Sequence, residues 1–117
     1  MLKQTIVPWI GVDLDGTLAE YHGWNDNHQV GEPIPIMMAR VKRWLSEGAT
    51  VKIMTARAAY PEAIAPVRAW LIKHGIGHLE ITNEKDYGML SLWDDRAIQV
   101  EFNTGELVVE ANDEATR

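Results

Sequence analysis

Apolar residues occur along this chain either in short continuous runs or at helical spacing. The short apolar segments predict four strands: Ile6–Leu14, which we interpret as buried, Val51–Met54, His78–Thr82 and Leu90–Trp93. The helical spacing predicts one helix over Ile36–Glu47 and a second helix within Pro61–His74. Because proline has no backbone N–H, Pro66 predicts that the second helix begins near Ala65 or is kinked there.

The order of these elements indicates the fold class. Strands that alternate with helices form parallel sheets, and helices cover the faces of such sheets. We therefore expect an α/β fold with a mainly parallel central sheet in a three-layer, Rossmann-like arrangement. Towards the C-terminus, Ala97–Phe102 and Glu106–Val109 flank Asn103-Thr104-Gly105, which predicts a β-hairpin.

Two segments lack a regular pattern. Thr17–Pro35 is rich in Gly, Asn, Asp and His, and we interpret it as a long loop or small flap, called the flap below. Loops of this length without secondary structure usually have a function. Residues 110–117 form a short acidic tail. The chain has 117 residues without repeats or a low-complexity linker, which predicts one domain over residues 1–117.

Composition and charge exclude several classes of protein. The chain has no cysteine, which excludes disulfides, cysteine zinc sites and thiol catalysis. Its net charge of −6 argues against a dedicated nucleic-acid binder, because such proteins carry a basic surface. Apolar runs are too short to span a membrane, and the N-terminus lacks the features of a secretory signal. We therefore expect a cytoplasmic protein that does not contact a membrane.

Polar side chains with catalytic potential follow three of the predicted strands. They are Asp13 and Asp15 after the first strand, Thr55 and Arg57 after the second, and Asp94 and Asp95 after the fourth. Because the carboxyl ends of parallel strands lie along one edge of a sheet, we expect these groups in one cleft. Four neighbouring carboxylates repel one another unless a cation neutralises them or one of them binds a proton. Oxygen ligands suit Mg²⁺, which also binds substrate phosphate.

The same residues resemble the motifs of a known family. The sequence Asp13-Leu14-Asp15-Gly16-Thr17-Leu18, after an apolar strand, resembles the first motif of the haloacid dehalogenase superfamily of phosphohydrolases. Thr55 is similar to the second motif, and Asp94-Asp95 is similar to the fourth. These motifs occur in the order of the family, each at the end of a predicted strand. The resemblance extends from about Ile6 to Arg96.

The resemblance implies a magnesium-dependent phosphatase that forms an aspartyl-phosphate intermediate. It identifies Asp13 as the nucleophile and Asp15 as the general acid and base. It also implies that Mg²⁺ binds to the Asp13 side chain, to the Asp15 backbone carbonyl, and to Asp94, Asp95 or both. It also implies that the phosphoryl group is bound by the Thr55 hydroxyl, the Gly16 amide and their neighbours Leu14 and Ala56.

Two residues are candidates for the positively charged side chain that binds the phosphate. The third motif of the family contains a lysine, and Lys85 is the best match. The stretch between Lys85 and Asp94 has little room for the helix that normally separates the third and fourth motifs. Thr55-Ala56-Arg57 and Asp94-Asp95-Arg96 also resemble the 3′-phosphatase domain of phage polynucleotide kinases, in which an arginine beside the second motif contacts phosphate. Arg57 is therefore the second candidate.

The distances between the motifs indicate that a cap domain is absent. The flap is too short to fold as a cap, and one helix and one strand account for Ala58–Asn83. An open cleft favours a large substrate end, or closure by another subunit of a homo-oligomer. The expected substrate is a phosphorylated small molecule or a phosphorylated nucleic-acid end. A polynucleotide 3′-end phosphatase, a phosphotransferase and a non-catalytic scaffold of the same fold remain alternatives.

Overall fold

Strands alternate with helices throughout the computed structural model, which describes residues 5–24 and 27–109. The elements are β1 (Trp9–Val12), α1 (Pro35–Ser46), β2 (Val51–Met54), a 3₁₀ helix (Ala56–Ala59), α2 (Pro61–Lys73), β3 (Glu80–Thr82) and β4 (Met89–Trp93). The four strands found in these ranges are all parallel and lie in the order β3-β2-β1-β4. The α/β class with a parallel sheet, predicted from the alternation, is therefore confirmed.

Prolines begin both helices, at a position where a missing N–H has no consequence for the helix. Pro35 is the first residue of α1, and Pro61 is the first residue of α2. The second helix therefore begins before Ala65, and Pro66 lies inside it, so the predicted start near Ala65 is wrong. Within the described ranges, neither helix has the length and hydropathy that a membrane span requires.

Both helices cover the same face of the sheet. Their inward side chains join one buried cluster with the side chains on that face of β1 and β2, including Val12 and Ile53, which are fully buried. Val41 of α1 and Leu71 of α2 are equally inaccessible to solvent. Parallel strands are joined by right-handed crossovers, and two such crossovers that run in the same direction place their helices on one side. The main core therefore lies between the helices and a single face of the sheet.

On the opposite face of the sheet, the connection between β3 and β4, residues 83–88, packs against Trp9. Trp9 lies on this face and is 1% exposed. Its Nε1 donates to Asp86 Oδ1 in the connection (2.8 Å), and Lys52 Nζ lies 4.5 Å from the centroid of its ring. Among the described residues no helix lies on this side. The predicted three-layer arrangement is therefore replaced by two layers, one of helices and one of strands.

The length of the β3–β4 connection explains the two-layer arrangement. β3 and β4 are the two edge strands of the sheet, so the connection crosses the full width of the sheet. Three strand spacings correspond to about 14 Å, and the chain also has to return from the carboxyl end of β3 to the amino end of β4. The segment from Thr82 to Met89 spans at most about 25 Å when it is fully extended. This length leaves no residues for a helix.

The C-terminal segment is less regular than predicted. Val100 and Leu107 form an antiparallel bridge, and the Glu101 N–H donates to the Glu106 carbonyl (2.7 Å). No pair of strands forms among residues 97–109, so the predicted hairpin is reduced to this bridge around its turn. The predicted acidic tail, residues 110–117, lies outside the described residues.

Candidate active site

The carboxyl ends of three strands border a cleft of about 1240 Å³. Asp13 follows β1, Thr55 follows β2 and Asp94 follows β4, and all three residues line this cleft. Parallel strands point in the same direction, so the residues that follow them lie at the same edge of the sheet. The structure thus brings together residues that are far apart along the chain.

Three carboxylates meet in the cleft. Asp13, Asp94 and Asp95 each place an oxygen within 4.8 Å of the oxygens of the other two. The Asp13 N–H donates to the Trp93 carbonyl (2.9 Å), which holds the ends of β1 and β4 together. Asp13 and Asp94 are half-buried, and Asp95 is more exposed. The three carboxylates are close enough to share one cation.

The proximity of these carboxylates changes their protonation. Burial, a hydrogen bond with Asp95 and the negative charges of Asp94 and Asp95 raise the pKa of Asp13 from 3.8 to about 7. For Asp95, burial acts to raise the pKa, but hydrogen bonds with Thr17 and Asp13 outweigh burial and lower it. Without a cation, Asp13 therefore retains its proton up to about pH 7, and Asp95 is its hydrogen-bond partner.

Thr17 and Gly16 hold Asp95 beside Asp13. Thr17 is buried, and its Oγ1 accepts from the Asp95 N–H (2.9 Å) and donates to Asp95 Oδ1 (3.0 Å). Gly16 has a φ of +89°, and a Cβ at this position would lie 2.7 Å from Asp95 Oδ2. Glycine is therefore required for this close approach. Thr17 is not among the predicted site residues, although its place in the first motif is a signal for such a role.

Leu14 and Gly16, which were predicted to bind phosphate, form the turn after β1. The Leu14 side chain is fully buried in the core, and its carbonyl accepts from the N–H groups of Leu18 (3.0 Å) and Ala19 (2.9 Å). The Gly16 N–H donates to the Ala19 carbonyl (2.8 Å). Neither Leu14 nor Gly16 lines the cleft.

Asp15 forms an ion pair with Arg57. Both oxygens of the carboxylate accept hydrogen bonds, Oδ2 from Arg57 Nε (2.8 Å) and Oδ1 from Arg57 Nη2 (2.8 Å). The two side chains are 22% and 15% exposed, respectively. The Asp15 carboxylate therefore faces Arg57 and does not belong to the cluster of Asp13, Asp94 and Asp95. Metal binding through the Asp15 carbonyl stays a prediction.

Local hydrogen bonds orient the residues that follow β2 and β4. Thr55 is 4% exposed, its N–H donates to the Thr82 carbonyl (2.8 Å), and its Oγ1 accepts from the Arg57 N–H (3.2 Å). Ala56 follows Thr55 and also lines the cleft. Asp94 Oδ1 accepts from the Arg96 N–H (2.7 Å), which forms a tight turn directly after β4.

Lys85 lies outside the cleft. It is exposed and belongs to the connection between β3 and β4. It is not among the residues that line the cleft. Asn83, two residues earlier, is the residue of this connection that lines the cleft. Of the two predicted cations, the structure thus brings Arg57 into the cleft and leaves Lys85 outside it. Arg96 is a further cation in the lining.

The flap extends from a short paired base at the mouth of the cleft. The Glu20 N–H donates to the Glu32 carbonyl (2.8 Å), and the Ile34 N–H donates to the Leu18 carbonyl (2.8 Å). Tyr21 and Trp24 of the flap line the cleft and are 54% and 73% exposed. They face the same space as the exposed aromatic residue at the start of α2, Tyr60 (57% exposed). The mouth of the cleft therefore presents three exposed aromatic rings.

Comparison with protein-family models, curated proteins and solved structures finds no match to this chain. Its function is therefore inferred from the residues of the cleft. Two arrangements in the cleft are most relevant to a possible reaction: the three neighbouring carboxylates, and the ion pair between Asp15 and Arg57.

Proposed function

We propose that this protein is a magnesium-dependent phosphomonoester hydrolase that uses the Asp13 carboxylate as its nucleophile. The observation that carries the proposal is the meeting of Asp13, Asp94 and Asp95 within 4.8 Å of one another in a cleft at the strand ends. The resemblance of the segments around Asp13, Thr55 and Asp94 to haloacid dehalogenase motifs supports the same reaction.

The donor atoms of the carboxylate cluster fit a hard divalent cation. Asp13, Asp94 and Asp95 offer only oxygen ligands, as Mg²⁺ prefers. Burial is the largest cause of the raised pKa of Asp13, and the negative charges of Asp94 and Asp95 add to it. A cation would neutralise those charges. These three carboxylates would hold the ion, together with the Asp15 carbonyl that the resemblance implies. When bound, Mg²⁺ neutralises the carboxylates and stabilises negative charge on the phosphoryl oxygens.

The residues of the chain have distinct roles in the proposed reaction. The Asp13 carboxylate attacks phosphorus, and the bond from phosphorus to the ester oxygen breaks. Asp15 has to enter this step protonated, with one of its two hydrogen bonds from Arg57 released, and it donates that proton to the departing oxygen. A water molecule then attacks the phosphorus of the aspartyl-phosphate, which frees Asp13, and Asp15 accepts the proton of that water. The Thr55 hydroxyl lies in the cleft lining and donates a hydrogen bond to a phosphoryl oxygen.

A polynucleotide 3′-end phosphatase is the second candidate, and the exposed rings at the mouth of the cleft favour it. Tyr21, Trp24 and Tyr60 offer flat surfaces on which bases could stack, and such stacking contributes about 1–3 kcal/mol per base. Arg96 adds a positive charge in the same cleft. The net charge of −6 limits favourable contacts with a long phosphate backbone, so this candidate binds only the end of the strand.

The proposal is tested with a panel of phosphate esters that includes sugar phosphates, free nucleotides and 3′-phosphorylated oligonucleotides. We expect phosphate release that requires Mg²⁺, is abolished by EDTA and is lost in Asp13→Asn. Glu84→Gln is the matched control, because it also neutralises one carboxylate but lies on the exposed β3–β4 connection. Undiminished hydrolysis by Asp13→Asn would contradict the proposal that Asp13 is the nucleophile. Phosphoryl transfer to an added alcohol would identify a phosphotransferase, and no turnover on any ester would favour a scaffold.

A further inference from the structure

Arg57 connects three separate segments of the chain. Its backbone follows β2 and is held by the Thr55 hydroxyl (3.2 Å). Its side chain binds Asp15, in the turn after β1, through two hydrogen bonds of 2.8 Å. The same guanidinium donates to two carbonyls of the flap, from Nη1 to His28 (2.6 Å) and from Nη2 to Gln29 (3.2 Å).

The hydrogen bonds of Arg57 leave little capacity for a phosphate. A guanidinium has five N–H donors, and the contacts with Asp15, His28 and Gln29 occupy four of them. Phosphate is bound most strongly when a guanidinium offers two parallel N–H groups. Arg57 presents its paired N–H groups to Asp15, so a bidentate contact with phosphate would have to break that ion pair.

The flap has a second attachment, which lies nearer to its base. Trp70 of α2 donates from Nε1 to the Gly31 carbonyl (2.8 Å). A Cβ at Gly31 would lie 2.2 Å from the Glu20 carbonyl oxygen, so the two sides of the flap are closely packed at this level. The contacts of Arg57 with His28 and Gln29 lie further along the flap, on the side that faces the cleft.

We propose that Arg57 is a positioning residue, which fixes the Asp15 carboxylate and holds residues 28–29 of the flap beside it, and that it does not serve as the phosphate ligand. The ion pair orients both oxygens of Asp15, and the flap contacts fix the guanidinium in turn. The part of this inference that concerns turnover depends on the proposed function, because it assumes that Asp15 transfers protons. The part that concerns the flap does not.

Two substitutions separate positioning from phosphate binding. Arg57→Lys keeps the positive charge and can still bind phosphate as a point charge, but lysine cannot form a bidentate pair with a carboxylate. We expect kcat to fall about 10²-fold in both Arg57→Lys and Arg57→Ala, the size of effect that a small misplacement causes, with KM nearly unchanged. Wild-type kcat in Arg57→Lys, or a loss in Arg57→Ala confined to KM, would overturn the proposal.

Hydrogen exchange of the flap tests the same residue without a substrate. We expect amides in residues 27–34 to exchange roughly tenfold faster in Arg57→Ala, because hydrogen bonds from a charged donor are lost. Arg96→Ala is the matched control, since Arg96 lines the same cleft, and Trp70→Phe is the positive control, since it removes the contact with Gly31. Unchanged exchange in Arg57→Ala would overturn the proposal. Absence of phosphatase activity in the wild type would contradict the proposed function. The hydrogen-exchange measurement would still test whether Arg57 holds the flap.

Discussion

At the scale of single residues, Asp95 adds to the effect of burial in raising the pKa of Asp13. Thr17 binds the Asp95 carboxylate, and Gly16 allows it to approach the backbone after β1. Asp95 lies close enough to form a hydrogen bond with Asp13, and its charge opposes the ionisation of Asp13. When no cation is bound, Asp13 therefore retains its proton up to about pH 7. Binding of a cation has to release that proton, so affinity for the cation is linked to pH.

The raised pKa of Asp13 predicts that the metal-free protein loses stability as the pH rises from about 4 to about 7. Over this range the unfolded chain has already lost the proton that the folded protein retains, so the free energy of unfolding decreases. It becomes constant with respect to this group above about pH 7. Asn has nearly the same size as Asp but does not titrate in this range. We expect urea unfolding in EDTA to show a smaller loss of stability with pH in Asp13→Asn than in the wild type. Equal losses in the two proteins would contradict this explanation.

The contact between Gly16 and Asp95 predicts a specific cost for a methyl group at this position. Gly16 and Gly48 both have a φ of +89°, but a Cβ at Gly48 would have no neighbour within 4 Å. Gly48→Ala therefore measures backbone strain alone, about 1–2 kcal/mol. Gly16→Ala adds the displacement of the Asp95 carboxylate, so we expect a larger decrease in the free energy of unfolding and weaker Mg²⁺ binding. Equal decreases in urea unfolding would show that Asp95 adapts without cost.

At the scale of secondary-structure elements, the local spacing of apolar residues predicted the positions of the helices well. The predicted and observed bounds of α1 differ by one residue at each end, because buried residues at helical spacing and the proline at its start are both local signals. The start of α2 was less predictable. Pro66 suggested a boundary, whereas the helix continues through it because Val67 and Leu71 pack into the core beyond it. Packing of these side chains outweighs the hydrogen bond that Pro66 cannot form.

The proline inside α2 predicts a stabilising substitution. The ring of Pro66 removes the hydrogen bond that a residue at this position would donate to the Glu62 carbonyl. Pro66 is only half-buried, so its replacement by alanine creates little empty space. We expect Pro66→Ala to raise the free energy of unfolding by about 1–2 kcal/mol, measured by urea unfolding. A decrease would indicate that the proline ring contributes packing that exceeds the missing bond.

The site was predictable where it depends on strand ends. Asp13, Thr55, Arg57 and Asp94 all follow strands of one parallel sheet, so their convergence follows from the alternation of elements. The position of Lys85 depends instead on the path of the β3–β4 connection. That path is set by the order of strands in the sheet, which no local pattern contains. The pairing of Arg57 with Asp15 likewise depends on the separation of two turns in space.

At the scale of the whole molecule, the proposed cation site joins the ends of two neighbouring strands. Asp13 belongs to the segment after β1, whereas Asp94 and Asp95 belong to the segment after β4. β4 is an edge strand, and β1 is its neighbour in the sheet. A cation bound by all three carboxylates would therefore oppose separation of β4 from the rest of the sheet. Its effect should be visible in the unfolding of the entire protein.

Binding of Mg²⁺ predicts an increase in thermal stability. A ligand that binds only the folded state at 100 times its Kd raises the free energy of unfolding by about 2.7 kcal/mol. We expect Tm to rise with Mg²⁺ in the wild type and in Glu84→Gln, and to rise much less in Asp95→Asn. EDTA should reverse the increase. The same increase in Asp95→Asn as in the wild type would exclude Asp95 from the cation site.

The segment that joins β3 to β4 also affects the alignment of the three carboxylates in the cleft. Residues 83–88 cross the width of the sheet, and Asp86 attaches them to the buried Trp9. If the removal of one residue there shifted β4 along its neighbour by one position, about 3.3 Å, the side chains of β4 would exchange faces. Asp94 and Asp95, at the far end of β4, would move with it and lose their alignment with Asp13. The length of this connection therefore contributes to the spacing of the carboxylates on which the proposed shared ion depends.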